Sequence, residues 1–120
     1  MQLDTLLLPA LTALTATCEF TCPDTPNRVA CAEAARDALL NRYRCITWPD
    51  STFLYNGGHT VVSAPGTSCS ATIRGPELQV YVNCSQLRGW LDGILDGCVR
   101  NGAGGGRDQS VNWGWGISTC

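Results

Sequence analysis

The chain reads as an α+β protein: an antiparallel β-sheet packed against two α-helices in a disulfide-stapled two-layer sandwich. Three observations predict this. Eight cysteines are spread along 120 residues, two stretches have helical character, and several short β-prone runs are joined by turn residues. The cysteines stand at 18, 22, 31, 45, 69, 84, 98 and 120. Small domains with little apolar surface to bury use disulfides as staples, and such bridges persist in oxidising compartments. A secreted, extracellular protein is the expectation. Zinc sites show short Cys or His pairs; Cys18 and Cys22 form the only close pair, and the single histidine, His59, is far from every cysteine. Neither a metal nor a cofactor is expected.

Residues 18–120 form one disulfide-rich domain with a modest core, and no run is apolar over the roughly 18 residues that a membrane helix needs. A monomer without a membrane span is expected. Only 15% of residues are charged, the net charge is −2, and all eight basic residues are arginine. This balance argues against nucleic acid as the partner, because affinity there rests on clustered positive charge. The nearest approach to such a cluster, Arg36, Arg42 and Arg44, reads as a solvated helix end. Residues 1–17 carry an apolar stretch over 6–16, with small Thr15 and Thr17 ahead of Cys18. They read as a signal peptide, or as an N-terminal extension, since Asp4 stands where a leader usually has a positive charge.

Asp24-Thr25-Pro26 supplies a cap and a proline for the first helical position, and residues 27–43 are rich in alanine, arginine and leucine. This is the first helix, with Cys31, Ala35, Ala38, Leu39 and Tyr43 as its inner stripe. Asn56-Gly57-Gly58 between residues 52–55 and 60–62 reads as a hairpin turn. Gly75-Pro76 between residues 70–74 and 78–83 reads as a second, with Leu78, Val80 and Val82 on one face. From a cap at Ser85, Leu87, Trp90, Leu91, Ile94, Leu95 and Cys98 recur at helical steps. Gly89, Gly93 and Gly97 each cost about 1 kcal/mol against alanine, so packing and a bridge at Cys98 must hold this second helix. Asn101-Gly102 ends it. Finally Val111, Trp113, Trp115 and Ile117 alternate with Asn112, Gly114, Gly116 and Ser118, a strand with one bulky and one nearly bare face.

Several of these motifs also carry a resemblance. Cys31-Ala-Glu-Ala-Ala-Arg-Asp-Ala-Leu-Leu, Gly66-Thr67-Ser68-Cys69 opening a strand, Val80-Tyr81-Val82-Asn83 before an amphipathic helix, a glycine-rich loop and Val111-Asn112-Trp113-Gly114 resemble fungal secreted effectors of the necrosis-inducing-factor family. The order is also similar to the virally encoded killer toxin of smut fungi. The likeness covers residues 18–120. It implies a cysteine-rich virulence protein that binds a host protein or cell-surface target, or alternatively a killer-toxin-like antifungal acting on cation channels or cell growth. A surface lysine matters in the toxin; this chain has none, and Arg74 or Arg107 would have to supply the charge. If the topology carries over, Cys69 opening one strand meets Cys120 closing another, and the toxin likeness implies that bridge. The remaining expected pairs are Cys45 with Cys84, Cys18 with Cys98, and Cys22 with Cys31.

No catalytic constellation stands out. His59 is the only side chain whose ordinary pKa lies near neutrality, and it sits beside Gly57-Gly58 in an expected exposed turn. Asp92 and Asp96 are four residues apart on the polar side of the second helix, where solvation accounts for them. The glycine run 102–106 follows a helix C-terminus, whereas phosphate loops open onto an N-terminus, so it reads as a flexible connector. Enzyme activity is not expected. Glycan binding by stacking would require exposed Trp113 and Trp115, which the alternation places in the core instead. Asn83-Cys84-Ser85 matches the glycosylation sequon, although a bridged cysteine at its centre competes with modification.

Overall fold

The first helix, α1 (Arg28–Arg42), turns Ala32, Ala35, Leu39 and Leu40 inward. Its buried face is wider than the expected stripe, with Cys31, Ala38 and Tyr43 only half-buried, because α1 touches a second helix as well as the sheet. Asn27 is its N-cap, in the left-handed region at φ 54° and without a side-chain cap bond. Pro26 therefore precedes the helix instead of opening it, and Asp24 lies outside the residues described. The computed structural model describes residues 16–19 and 26–120. Most of the expected leader is thus outside the description, but its last residue, Thr17, begins strand β1 (Thr17–Glu19). The second helix, α2 (Cys84–Gly97), starts at Cys84 with Asn83 as N-cap, so Ser85 falls within the first turn. Leu87, Leu91, Ile94 and Leu95 are its buried side, as the periodicity predicts.

Between and after the helices run β2 (Thr52–Tyr55), β3 (Gly58–Ser63), β4 (Ser70–Gly75), β5 (Val80–Asn83), β6 (Gly105–Ser110) and β7 (Trp113–Ser118). Five of the strands form one sheet in the order β1-β6-β7-β4-β3, with every neighbour antiparallel. The remaining two, β2 and β5, pair with each other in a separate ribbon. Both expected hairpins are thereby corrected: β2 does not pair with β3, nor β4 with β5. Gly57 and Gly58 hold φ at 86° and 78°, and the two turns pack on one another, so a Cβ on Gly57 would strike the Pro76 carbonyl oxygen. The hairpins that do form are β3–β4, across residues 64–69, and β6–β7, across Val111 and Asn112. Nor is 102–106 a loose connector. Ala103 to Gly106 are buried, and Thr119 donates from its backbone N and its Oγ1 to the Gly104 carbonyl at 2.9 and 2.6 Å.

Both helices lie on one face of the large sheet. Between them and the sheet runs a continuous line of aromatic rings. Phe53 stacks on Tyr43 at 4.3 Å, Tyr43 meets Tyr55 edge-on at 6.0 Å, and Tyr55 leads to Trp113 at 5.6 Å. Trp113 touches Trp90, which stacks on Trp115 at 4.5 Å. Such contacts add to area burial, so this line joins the ribbon, both helices and β7 into one core. Tyr55 is 2% exposed, and its hydroxyl donates to the Gly58 carbonyl at 2.8 Å, with the Ile73 carbonyl at 3.2 Å as an alternative acceptor. Burial pushes its phenol pKa up, because the phenolate would lose its hydration.

Disulfides tie these layers. Cys18 bonds Cys98 and Cys45 bonds Cys84, two of the four pairs expected. Cys31 bonds Cys69, with Cα atoms 5.9 Å apart, and this replaces the expected Cys69–Cys120 and Cys22–Cys31 pairs. The reason is the path of α1, which crosses over β4 and sets its first turn above the residue that precedes that strand. Cys120 is disulfide-bonded as well, and Cys22 lies outside the described residues. Ion pairs add a second link between helices: Arg36 bonds Asp37 at 2.9 Å and Asp92 at 3.0 Å. Burial opposes the Arg36 charge, but hydrogen bonds to the two carboxylates outweigh it and raise the pKa. Arg100 joins Glu33 and Asp96, both at 2.9 Å. Among the described residues, no helix is long and apolar enough to cross a membrane.

Peptide mapping of the unreduced protein should recover a Cys31–Cys69 linked pair; a Cys69–Cys120 peptide would contradict the fold. A phenol whose pKa is raised by folding supports stability below its unfolded pKa of about 10 and loses that support as pH climbs through the folded value. Tyr55→Phe should therefore cost about 1–2 kcal/mol at neutral pH and flatten the alkaline decline of stability, as read by denaturant titration at several pH values.

Candidate functional site

The face of the large sheet opposite the helices is open, and β7 gives it its shape. Trp113, Trp115 and Ile117 point inward, which leaves Gly114 and Gly116 as the outward residues of a strand in the sheet's interior. A strip without side chains forms the floor of a groove of about 500 Å³. Cross-strand register places its walls. His59 on β3 faces Arg74 on β4, Arg74 faces Gly114, and Gly114 faces Gln109 on β6. The next row runs from Thr72 through Gly116 to Arg107 and then Thr17. Glu19 and Ser118 close one end.

Two arginines thus stand on either side of a bare strand. Neighbouring strands are about 4.8 Å apart, so β4 and β6 are separated by about 10 Å across β7. Arg74 lies over the floor: a Cβ on Gly114 would sit 3.2 Å from its Nη2 and 3.5 Å from its Nε. Both Arg74 and Arg107 are exposed and make no hydrogen bond or ion pair with the described residues, unlike Arg36 and Arg100. Uncompensated cations on a rigid, solvent-facing sheet are available to an anion.

Other residues singled out from sequence fall elsewhere. His59 is exposed on the same face, with no carboxylate or hydroxyl hydrogen-bonded to it among the described residues. Asp92 and Asp96 are held by Arg36 and Arg100, which corrects the purely solvated helix face. Of the arginine trio, Arg36 belongs to that network, whereas Arg44 sits over the Trp48 ring at 6.0 Å. Trp113 and Trp115 face the core: Trp115 is 8% exposed, and the half-buried Trp113 packs against Tyr55 and Trp90. Asn83 is exposed, but the centre of its sequon, Cys84, is buried in its bridge. Among the described residues, no group of three or more His, Cys, Asp or Glu side chains is placed to hold a metal. A second exposed feature is the outer face of the β2–β5 ribbon, where Leu54 and Tyr81 are cross-strand partners and Tyr81 is 71% exposed.

The two floor glycines should respond differently to substitution. At Gly114 a new side chain meets only the movable end of Arg74, so Gly114→Val should fold with a stability change under about 1 kcal/mol while filling the groove. At Gly116 a Cβ would lie 2.9 Å from the Gly106 carbonyl oxygen and 3.3 Å from the Arg107 Cβ, so Gly116→Val should be clearly less stable. Equal melting temperatures for the two variants would contradict the register. No family model, curated protein or solved structure matches this chain, and the site is therefore read from its own geometry.

Proposed function

We propose that this chain is a small secreted cysteine-rich fungal effector that acts by binding a host target through the open face of its sheet. The observation that carries the reading is the pair of exposed arginines, without a hydrogen bond or ion pair among the described residues, that flank a glycine floor on a sheet whose other face carries the disulfide-tied helices. Bridges of this density fit an oxidising, extracellular compartment. Rigidity fits a binding role too, since a preorganised surface loses little entropy on association. A virulence role against a plant host comes from the resemblance to the necrosis-inducing factors.

A second reading is favoured by the same arginines. A killer-toxin-like antifungal needs an exposed cation, and Arg74 and Arg107 are the candidates in a chain without lysine. Infiltration of the purified oxidised protein into leaves, in parallel with addition to fungal cultures, separates the two. The effector reading expects a leaf response that Gly114→Val abolishes, with unchanged fungal growth. Growth arrest that depends on Arg74 or Arg107, without a leaf response, would favour the toxin. A leaf response untouched by Gly114→Val would place the working surface elsewhere.

A further inference from the structure

We infer that the groove on the open sheet face binds an acidic oligosaccharide, a chain of uronic acid residues whose carboxylates pair with Arg74 and Arg107. This rests on the proposed use of that face and adds the chemistry of the partner. The guanidinium fork matches a carboxylate in two parallel hydrogen bonds, and two such forks across a bare strand suit a ligand that repeats its charge along a chain. Three features favour a sugar chain over other polyanions. Apart from His59 and the Glu19 carboxylate at one end, the other outward side chains of the walls, Thr17, Thr72, Gln109 and Ser118, are hydroxyls and an amide, which exchange hydrogen bonds with sugar hydroxyls. The floor strand β7 is paired on both sides, so its backbone groups are already satisfied and an added peptide strand finds no ladder to join. Two arginines with Glu19 at one end, in a chain of net charge −2, fall short of the clustered positive charge that phosphate backbones require. With Trp113 and Trp115 turned away from the groove, recognition there depends on charge and hydroxyl contacts, so neutral sugars should not bind.

Titration calorimetry of the oxidised full chain with a galacturonic acid oligomer, a neutral glucose oligomer and a polyglutamate peptide of equal length tests this. The uronate oligomer should bind, more weakly as salt is added, and the glucose oligomer should not. Arg74→Gln and Arg107→Gln should each weaken uronate binding about tenfold, whereas Arg44→Gln, beside Trp48, should leave it unchanged. Because both groove arginines are exposed and bond to none of the described residues, the variants should keep the parent's circular dichroism. Absence of uronate binding, undiminished binding by the double variant, or tighter binding of polyglutamate would overturn the inference. Leaf infiltration with the same proteins separates it from the effector reading. Uronate binding without a leaf response supports the ligand and removes the effector role; a groove-dependent leaf response without uronate binding overturns the ligand and keeps the surface.

Discussion

Cys31 in the first turn of α1 is tied to Cys69 ahead of β4, Cys45 just past α1 to Cys84 opening α2, and Cys98 at the end of α2 to Cys18 in β1. Each bridge pins a helix end, and the remainder of the structure depends on that constraint. The inner side of α1 is two alanines and two leucines, and alanine contributes little hydrophobic free energy when buried. Two interior glycines in α2, Gly89 and Gly93, lower its intrinsic stability further. Neither helix has a side-chain N-cap bond. Cross-links worth on the order of 2–4 kcal/mol each offset these deficits, chiefly by restricting the unfolded chain in the entropic account.

Holding both helices to one face leaves the other free, and a single strand serves both. On β7 the inward residues supply the end of the aromatic line, while the outward glycines supply the groove floor. The close approach recurs at Gly106, where a Cβ would sit 2.6 Å from the Cys98 sulfur, so a side chain there would displace the bridge that fastens α2 to the edge strand. Core, cross-link and open face are therefore coupled through Gly106 and Gly116, where a side chain would strike the Cys98 bridge or the neighbouring strand.

Much of the architecture was legible in the sequence because it is encoded locally. The bulky and bare faces of β7 follow from strict alternation, and the buried side of α2 follows from three- and four-residue spacing. Cys45–Cys84 was legible because both cysteines abut helix ends, and Cys18–Cys98 was also among the expected pairs. Strand pairing was not. Glycine-containing turns at 56–58 and 75–76 carry the local signature of hairpins, yet Phe53 stacks on Tyr43 at the end of α1 and β2 pairs with β5 in a separate ribbon. Cys31–Cys69 was hidden for the same reason, since the crossing of α1 over β4 is a tertiary fact. For the candidate site, the bare strip could be read directly. Arg74 and Arg107 were nameable as candidate cations, but not as two walls of one groove, because they become neighbours only through the β4–β7 and β6–β7 registers.

The sulfur cross-links are the condition for a two-layer body, and with it an open face of fixed shape. Amide hydrogen exchange on the oxidised and the fully reduced protein tests that claim most directly. In the oxidised state β4 and β7 should be the slowest to exchange, with α1 and α2 protected, and reduction should collapse protection in helices and sheet together. Helices and central strands that stay protected after every bridge is opened would show that packing alone holds the layers, and would contradict the account.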